Sequence, residues 1–549
     1  MSDAGFDSGP QVANDNMSEA PIDDEIYAAA YAAEKENFAT YEFLDEYGDV
    51  PPHDEELRRS LFEKLAETLT LEGEHMEVLN TLNVQIEGRG SVPPIKSFED
   101  AGLHPVMLEN LYLCGYKRPS PIQQAVIPAI LNDNEVLACA QTGTGKTAAF
   151  LIPILSKLMG KFKEVAAPRP GLGLPTGVIC RAEPLIVIIT PTRELALQIF
   201  DHARRLCYRT MLRPVCIFGG GYKDGEYGQD AQLNKGCDIL IATPGRLIDY
   251  LNRPQFISMR RLKYAVLDEA DELLSGDWED PITRILFGGD ANLDCDRKLF
   301  LCSATFPEDA LITAEEYLGR DFNMITIGRM SSTHSNIEHN IMEIDFRDKR
   351  DRVYELLSEQ VNVKRTVIFC NTKVECDRLD DFLYNKQLPV ICTHSGRPQL
   401  DRESAMKMFR EGEKAILITT AVFARGMDVR DVTQVINYDM PSAAQGGINE
   451  FVHRIGRTAR MGNVGHAISF FTDRNEDIAE DLVKLLREVG QPVPGFLEIL
   501  VEGPGAVENG DAGEGIEGLD DAFGEPNGNV TVEDDAFGAP APQANDDSW

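Results

Sequence analysis

The 549-residue sequence lacks several features that would define its class. No apolar run approaches the roughly 20 residues that span a membrane, and the acidic N-terminus has neither the basic start nor the apolar stretch of a signal peptide. None of the 11 cysteines lies in a C-x-x-C pair, and several occur in apolar runs. We therefore expect reduced core cysteines, no disulfide or zinc framework, no membrane contact, and a cytosolic or nuclear location.

Basic residues are also scarce, with 53 Lys and Arg against 90 Asp and Glu and a net charge of −37. Such a charge argues against a nucleic-acid binder, but most of it lies at the ends of the chain. Residues 1–97 carry 22 acidic and 6 basic residues, and residues 499–549 carry 13 acidic and no basic ones. The middle is only mildly acidic, so local basic clusters there can bind phosphates while non-specific attraction to RNA stays weak.

The two ends differ in pattern. Residues 1–52 are predicted to be an acidic disordered tail, although spaced aromatics leave a partner-binding helix open. Leucines at four-residue spacing (57, 61, 65 and 69) predict an amphipathic helical extension over residues 53–97. Residues 499–549 form a second acidic, disordered tail with two Asp-Asp-Ala-Phe-Gly repeats, which either bind a partner weakly or aid solubility.

The stretch AQTGTGKT, residues 140–147, organises the rest of the chain. It follows an apolar strand and precedes an apolar helix, which is the context of a phosphate loop. Its glycines let backbone N–H groups converge on one anion at a helix N-terminus. Lys146 has the reach and charge for the β- and γ-phosphates of a nucleotide, and Thr147 offers a hydroxyl to Mg²⁺. The predicted cofactor contacts of this loop are Thr142, Gly143, Thr144, Gly145, Lys146 and Thr147.

A second buried strand, residues 264–267, delivers Asp268 and Glu269. With a phosphate loop in the same chain, Asp268 is suited to hold Mg²⁺ and Glu269 to orient and deprotonate the water that attacks the γ-phosphate. A solvated acidic helix start is the alternative. A further strand ends at Ser303 and Thr305, whose hydroxyls are placed to bond Asp271 and link two sites.

Two upstream residues are candidates for recognising adenine. An amide side chain can bond the base in two directions, and an aromatic ring can stack on it, so Gln123 and Phe98 are predicted to select ATP. Taken alone, Gln123 fits a helix N-terminal residue bonded to local backbone better, and its pairing with the phosphate loop about twenty residues on is what favours the adenine contact.

Three other strand ends carry Pro, Thr, Arg and Gly: Pro191-Thr192-Arg193, Gly219-Gly220-Gly221 and Thr243-Pro244-Gly245-Arg246. In open α/β sheets ligands bind at the carboxyl ends of strands, so these tips should share a face with the phosphate loop. Their hydroxyls and N–H groups suit phosphates and read no bases. Tight turns without a ligand are the alternative for each tip considered alone.

In order and spacing, Phe98 with Gln123, AQTGTGKT, PTRELALQ, the glycine pair, TPGR, DEAD and SAT resemble the motifs of the DEAD-box RNA helicases over about residues 98–498. The resemblance implies an α/β fold of two tandem RecA-like domains with parallel sheets, flanked by the acidic, largely disordered tails. Residues 98–328 would bind ATP, residues 329–336 would link the domains, and residues 337–498 would form the second domain.

The resemblance also implies roles for the second domain, which has no phosphate loop of its own. Arg457 and Arg460 would reach the γ-phosphate across a cleft, and Gly426 and Asp428 would contact the nucleotide, Asp428 at its ribose. His453 would couple the domains with Asp271, Ser303 and Thr305. ATP would then close both domains on RNA and bend one strand. The implied contacts with the RNA backbone are Pro191, Thr192, Arg193, Gly220, Thr243, Gly245 and Arg246 in the first domain, and Gly396, Arg402 and Thr420 in the second.

Some residues depart from the usual pattern. Ala421 resembles the Vasa-type branch and its translation-factor relatives, although Arg-Gly-Gly tracts are missing. An insertion before Ile448 would loosen the positions of Arg457 and Arg460.

We therefore keep two functions open: an RNA helicase, and an ATP-gated RNA clamp or granule scaffold with little unwinding. The predicted partners are RNA, ATP with Mg²⁺, and granule or small-RNA-pathway proteins at the tails. The protein is expected to be a monomer in the cytoplasm. A perinuclear or RNA-granule location and a nuclear location are kept as alternatives.

Overall fold

The computed structural model describes residues 35–47, 51–66, 83–88, 90, 92–221, 225–275, 278–288, 290, 296–319, 321–328, 336–359, 364–421, 432–459 and 464–503. These residues form two α/β units, each built around one large sheet. Among the helices in these ranges, none has the length and apolar content to cross a membrane.

The first unit contains ten strands within the described ranges. They are β1 (Val84–Glu87), β2 (Glu135–Ala140), β3 (Arg169–Pro170), β4 (Gly173–Leu174), β5 (Ile186–Ile189), β6 (Pro214–Ile217), β7 (Ile239–Ala242), β8 (Tyr264–Asp268), β9 (Lys298–Ser303) and β10 (Phe322–Ile327). Eight of them form the main sheet in the order β1-β10-β2-β9-β8-β5-β7-β6, while β3 pairs with β4. All neighbours in the main sheet are parallel except the edge pair β1 and β10.

Helices cover both faces of this sheet. They are α1 (Glu55–Ala66), α2 (Pro105–Leu113), α3 (Pro121–Leu131), α4 (Lys146–Met159), α5 (Phe162–Val165), α6 (Arg193–Leu206), α7 (Gln229–Asn234), α8 (Pro244–Leu251), α9 (Ala270–Leu273), α10 (Glu279–Phe287) and α11 (Glu308–Leu318). Strand β5 shows why two layers are needed: Ile186 and Ile188 pack into one buried cluster, and Val187 and Ile189 pack into another. Alternate side chains of a strand point to opposite faces, so a uniformly apolar strand is stable only when both faces are covered.

The second unit has a six-stranded, fully parallel sheet in the order β11-β16-β15-β12-β14-β13. Its strands are β11 (Ile337–Glu343), β12 (Thr366–Cys370), β13 (Val390–Thr393), β14 (Ile416–Thr420), β15 (Gln434–Asn437) and β16 (Gly465–Phe471). Its helices are α12 (Lys349–Ser358), α13 (Lys373–Asn385), α14 (Gln399–Arg410), α15 (Gly447–Ile455), α16 (Ala479–Glu488) and α17 (Gly495–Glu502). Two buried clusters again cover the two faces of the sheet.

The helical extension predicted for residues 53–97 is seen as α1 over Glu55–Ala66, and residues 67–82 lie outside the described residues. Residues 84–87 are instead the edge strand β1, which pairs antiparallel with β10. The segment Val84-Gln85-Ile86-Glu87 alternates apolar and polar residues, the pattern of a half-buried strand, and the leucine spacing further upstream hid this change of period.

The disordered tail predicted for residues 1–52 was wrong for its C-terminal part. Residues 35–47, which we call the N-terminal strap, pack against the first unit: Tyr41 and Phe43 are buried, and Phe38 is half-buried. The Tyr41 ring meets the Tyr208 ring edge to face at 5.6 Å. The acidic composition concealed these aromatic anchors, while residues 1–34 and 48–50 of the predicted tail lie outside the described residues.

The second unit also extends beyond residue 498, where the sequence analysis placed its C-terminal boundary. Helix α17 runs past residue 498, and its Leu497 is fully buried in the second unit. Residues 504–549 of the predicted tail, and residues 329–335 of the predicted linker, lie outside the described residues.

Candidate active site between the two units

The loop between β2 and α4 has the backbone of a phosphate loop. Gly143 and Gly145 have φ values of 81° and 91°, in the left-handed region that favours glycine. Helix α4 begins at Lys146, so its positive N-terminal end faces the loop. The Lys146 ammonium donates to the carbonyls of Ala140 and Gln141, and burial lowers its pKa while Asp268 opposes that shift. The loop therefore presents a partly buried cation and a helix N-terminus to an anion.

Ser120 and Gln123 hold this loop from behind. The Gln123 side chain accepts from Ser120 N at 3.0 Å and donates to the Gly145 carbonyl at 3.3 Å. The Ser120 hydroxyl donates to the Thr144 carbonyl at 2.7 Å, and the Thr144 hydroxyl donates to the Gln141 carbonyl at 2.8 Å. Each end of the Gln123 amide thus makes one bond to the protein, which leaves one N–H and one oxygen lone pair unused by these bonds for the predicted contact with adenine.

The two acidic residues stand at the end of β8, facing the same loop. Asp268 is 4% exposed, and burial together with the Glu269 charge raises its pKa to about 7, against the opposing effect of Lys146. Glu269 has a φ of 54°, unusual for a residue with a side chain, and one buried carboxylate oxygen accepts no hydrogen bond within the described ranges. Strained backbone and unsatisfied polar atoms of this kind are concentrated at functional sites.

A cleft of about 210 Å³ joins these groups to the second unit. From the first unit it is lined by Lys146, Thr147, Asp268 and Glu269 among others, and from the second by His453 and Arg457. The Thr142 hydroxyl donates to the Gly456 carbonyl at 3.0 Å, a direct bond between the units. Arg457 is 3% exposed, and its Nε donates to the His453 carbonyl at 3.0 Å. The arrangement gathers positive charge and paired carboxylates around one shared cleft.

The aromatic residue on the cleft wall is Tyr116. Phe98, predicted to stack on a base, is 3% exposed, lies in the core, and meets the Tyr116 ring edge to face at 6.2 Å. The prediction for Phe98 is therefore wrong in this structure: the ring supports Tyr116 from behind. Tyr116 stands in the same motif, but sequence spacing alone did not distinguish a lining ring from a supporting one.

A buried hydrogen-bond network crosses the junction beside the cleft. Asp271 accepts from Ser303 at 2.5 Å, from Thr305, and from His453 Nε2 at 3.1 Å. Burial would raise the pKa of Asp271, but the His453 hydrogen bond and charge, with the two hydroxyls, hold it below its usual value. The four residues predicted to couple the domains are thus in direct contact.

Two family models match the sequence: "DEAD/DEAH box helicase" over residues 120–312 and "Helicase conserved C-terminal domain" over residues 348–462. Together they span more than half of the chain. The structure is similar to "S. cerevisiae Dbp5 bound to RNA and ADP BeF3", with 27% identity and a TM-score of 0.60 over 74% of this chain and 99% of that chain. It is also similar to "DEAD-box helicase Mss116 bound to ssRNA and UDP-BeF", with 26% identity and a TM-score of 0.60 over 75% of this chain and 84% of that chain.

The chain belongs to the DEAD-box family of RNA helicases. The predicted fold of two tandem RecA-like domains is confirmed. The roles of individual site residues stay predictions, for which the structure supplies positions.

In the first RecA-like domain of this DEAD-box protein, the predicted RNA contacts lie at the ends of β5, β6 and β7. Thr192, which follows Pro191, is the N-cap residue of α6, and Thr243 is the N-cap residue of α8, whose first turn contains Gly245. A Cβ atom at Gly220 would stand 2.8 Å from Arg193 Nη2, so the guanidinium lies on the glycine loop. Arg246 differs from the others: it is 8% exposed, and its Nε donates to Gln229. Its position suits holding α7 against α8 better than contacting a ligand directly.

In the second domain, Gly396 and Thr420 lie at the ends of β13 and β14. Gly396 N donates to His394 Nδ1 at 3.2 Å. Arg402, also predicted to bind RNA, donates from Nη2 to Glu194 Oε1 of the first domain at 2.7 Å. Sequence reasoning missed Glu194 as its partner, because the residues are 208 positions apart and only domain closure brings them together.

The insertion before Ile448 is folded. Residues Ala443–Gln445 form a 3₁₀ turn in which the Gln445 side chain accepts from Ser442 N at 3.2 Å, and Asp477 accepts from Ala443 N at 2.7 Å. The expected loosening of Arg457 is therefore not seen. Gly426, Asp428 and Arg460 lie outside the described residues.

Proposed function

We propose that this DEAD-box protein is an ATP-dependent RNA helicase that locally separates RNA duplexes or remodels RNA–protein complexes. The observation that carries the proposal is the shared cleft, in which Lys146 and Glu269 of one domain face Arg457 of the other. Such a cleft needs both domains to surround a nucleotide, so binding free energy can be used to close them.

The residues of the first domain fit ATP and Mg²⁺. Lys146 offers the charge for phosphates at a helix N-terminus, and the Thr147 hydroxyl and Asp268 carboxylate are the oxygen donors that Mg²⁺ prefers. Asp268 is buried beside Lys146, where a divalent cation would favour its charged form. Bound Mg²⁺ would neutralise charge on the phosphates.

The protein groups then divide the work of hydrolysis. The buried Glu269 oxygen that accepts no hydrogen bond in the described part of the chain can orient a water and take its proton. Arg457 adds positive charge from the opposite domain where charge develops on the γ-phosphate. The Asp271–His453 bond ties the same event to domain closure, because it forms only when the domains meet.

Closure would also join the two halves of an RNA surface. The strand tips of both domains offer Thr hydroxyls, glycine N–H groups and Arg193, groups that suit the phosphate backbone and read no bases. The similarity to Dbp5 bound to RNA supports this assignment.

Strand displacement from a short labelled RNA duplex tests the proposal. We expect wild-type protein to release the strand with ATP, to release none without nucleotide, and to leave the matching DNA duplex intact. The second candidate is an ATP-gated RNA clamp, favoured by the strong interdomain contacts at Thr142 and Arg402. Tight ATP-dependent RNA binding without strand release would support the clamp and refute the helicase.

Our proposals for the branch of the family, the partners and the cellular location are based on sequence features. Ala421 favours the Vasa-type branch, and the Phe-Gly repeats of the acidic C-terminal tail favour weak contacts with granule or small-RNA-pathway proteins in the cytoplasm. We propose that the protein acts there as a monomer. Affinity purification of full-length protein and of protein lacking residues 504–549 tests the tail: identical partners would remove this support.

A further inference from the structure

The N-terminal strap, residues 35–47, is fixed to the first domain by a buried arginine. Arg204, near the end of α6, is 6% exposed, and its Nη1 donates to the carbonyls of Glu36 at 2.9 Å and Ala39 at 3.1 Å. At the other end of the strap, Asp45 N donates to the Gly171 carbonyl at 2.9 Å. A buried guanidinium bonded to main-chain carbonyls holds a segment at a defined position whatever its side chains are.

Within the first of these attachments, between Glu36 and Ala39, the strap inserts Phe38 beside the β6 strand and the glycine loop that follows it. The Phe38 ring centroid lies 5.9 Å from that of Phe200 on α6. A small cavity of about 20 Å³ is lined by Phe38 and Phe200 together with Phe218 and Gln229 among others. This volume admits about one water molecule, and Phe38 and Gln229 line it together.

Gln229 connects the glycine loop, which is part of the predicted RNA surface, with Arg246 of α8. Its carbonyl oxygen accepts from Phe218 N at 3.3 Å and from Arg246 Nε at 3.1 Å, and its amide donates to the Phe218 carbonyl at 3.0 Å. Phe218 directly precedes Gly219-Gly220-Gly221, and a Cβ atom at Gly221 would lie 2.1 Å from Gln229 Nε2. One buried side chain, 5% exposed, therefore sets both the glycine loop and Arg246.

We propose that the N-terminal strap is a positioning element of the RNA surface, acting through Phe38 and Gln229. The inference rests on the proposed function, because it takes the glycine loop as part of the RNA surface. Without the Phe38 ring, water would reach the Gln229 amide and compete for its bonds, and the glycine loop would lose its fixed position. Phe38 is not among the residues that line the nucleotide cleft, so ATP binding should be spared.

The test compares four full-length proteins: wild type, Phe38→Ala, Phe38→Leu, and Tyr384→Ala as a control at a 66% exposed aromatic residue of the second domain. Two quantities are measured: binding of a labelled single-stranded RNA with a non-hydrolysable ATP analogue, by fluorescence anisotropy, and the KM for ATP at saturating RNA. We expect Phe38→Ala to weaken RNA binding about three- to tenfold with the KM within twofold, Phe38→Leu to restore binding, and Tyr384→Ala to match wild type. Unchanged RNA binding by Phe38→Ala would overturn the proposal, as would a parallel loss of RNA and ATP binding.

A second variant covers the case in which Phe38→Ala does not fold. Gln229→Leu removes the hydrogen bonds without changing the strap, and we expect it to weaken RNA binding at least as much; wild-type affinity in this variant would also overturn the proposal. Failure of the proposed function is distinguishable, because wild-type protein would then show no RNA-stimulated ATP hydrolysis. The difference in RNA binding between wild type and Phe38→Ala is read independently of hydrolysis.

Discussion

The ion pair between Arg402 and Glu194 gives a quantitative prediction about domain closure. The two side chains belong to different domains, are 9% and 14% exposed, and are joined at 2.7 Å. Removing one member of a buried pair leaves the other charge desolvated, which typically costs about 3–5 kcal/mol. Because this pair retains some exposure, we take about 2–3 kcal/mol, which is about a 30- to 150-fold loss in the closure constant. The open protein should lose nothing, since the pair forms only between closed domains.

The two single substitutions should differ. The positive charge of Arg402 lies close enough to Arg193 to lower the pKa of Arg193, after the larger effect of burial, and Glu194 acts in the opposite direction. Glu194→Ala therefore leaves two arginines facing each other and should weaken closure more than Arg402→Ala. A donor and acceptor dye on the two domains report closure by energy transfer as RNA is titrated with a non-hydrolysable ATP analogue.

The double variant decides between the two roles of Arg402. If Arg402 acts through Glu194, the double variant should be less impaired than the sum of the single effects, with a coupling of about 1–3 kcal/mol. If Arg402 mainly contacts RNA, its loss should cost the same with and without Glu194, and our reasoning would be refuted. Arg378→Ala is the control, because that arginine of the second domain is 68% exposed and lies in a surface pair.

Two further predictions concern the first domain. The raised pKa of Asp268 means that the folded nucleotide-free protein keeps a proton that the unfolded chain loses, so the contribution of Asp268 to stability falls as the pH rises from about 4 to about 7. We expect Asp268→Asn to raise the melting temperature by several degrees at pH 8 and by less at pH 5; equal shifts at both pH values would contradict the assignment. Tyr116→Ala should raise the KM for ATP with little change in stability, while Phe98→Ala should destabilise the fold by about 3 kcal/mol in urea unfolding, because Phe98 is 3% exposed. If Phe98→Ala instead raised the KM for ATP and Tyr116→Ala destabilised the fold, Phe98 would be the residue that lines the cleft.

The sequence predicted the sheet and the phosphate loop because both depend on local signals. An apolar strand, a Gly-rich turn and an apolar helix are contiguous at residues 136–152. Alternate side chains of the strand point to opposite faces of the sheet, and both faces are covered by other buried residues. Asp268 and Glu269 were found in the same way, by the strand immediately before them. The phosphate loop and the two acidic residues lie on the same edge of the sheet because both follow the carboxyl ends of parallel strands.

The rest depends on contacts distant in sequence. Average polarity predicted disorder for residues 35–47, yet three aromatic rings and the Arg204 guanidinium dock this segment, and no local pattern indicates that docking site. Phe98 and Tyr116 are both aromatic and both near the phosphate loop, so only packing decides which one lines the cleft. The Glu194–Arg402 pair exists only because two domains meet.

The central claim is that Glu269 and Arg457, from opposite sides of one cleft, act together on a bound nucleotide. The most direct test is steady-state ATP hydrolysis by wild type and Glu269→Gln at saturating RNA, with ATP affinity measured in parallel. We predict that RNA stimulates the wild type, and that the substitution lowers turnover at least a hundredfold while ATP still binds, since it removes the base and keeps the shape of the side chain. Turnover in Glu269→Gln equal to wild type, with or without RNA, would contradict the account.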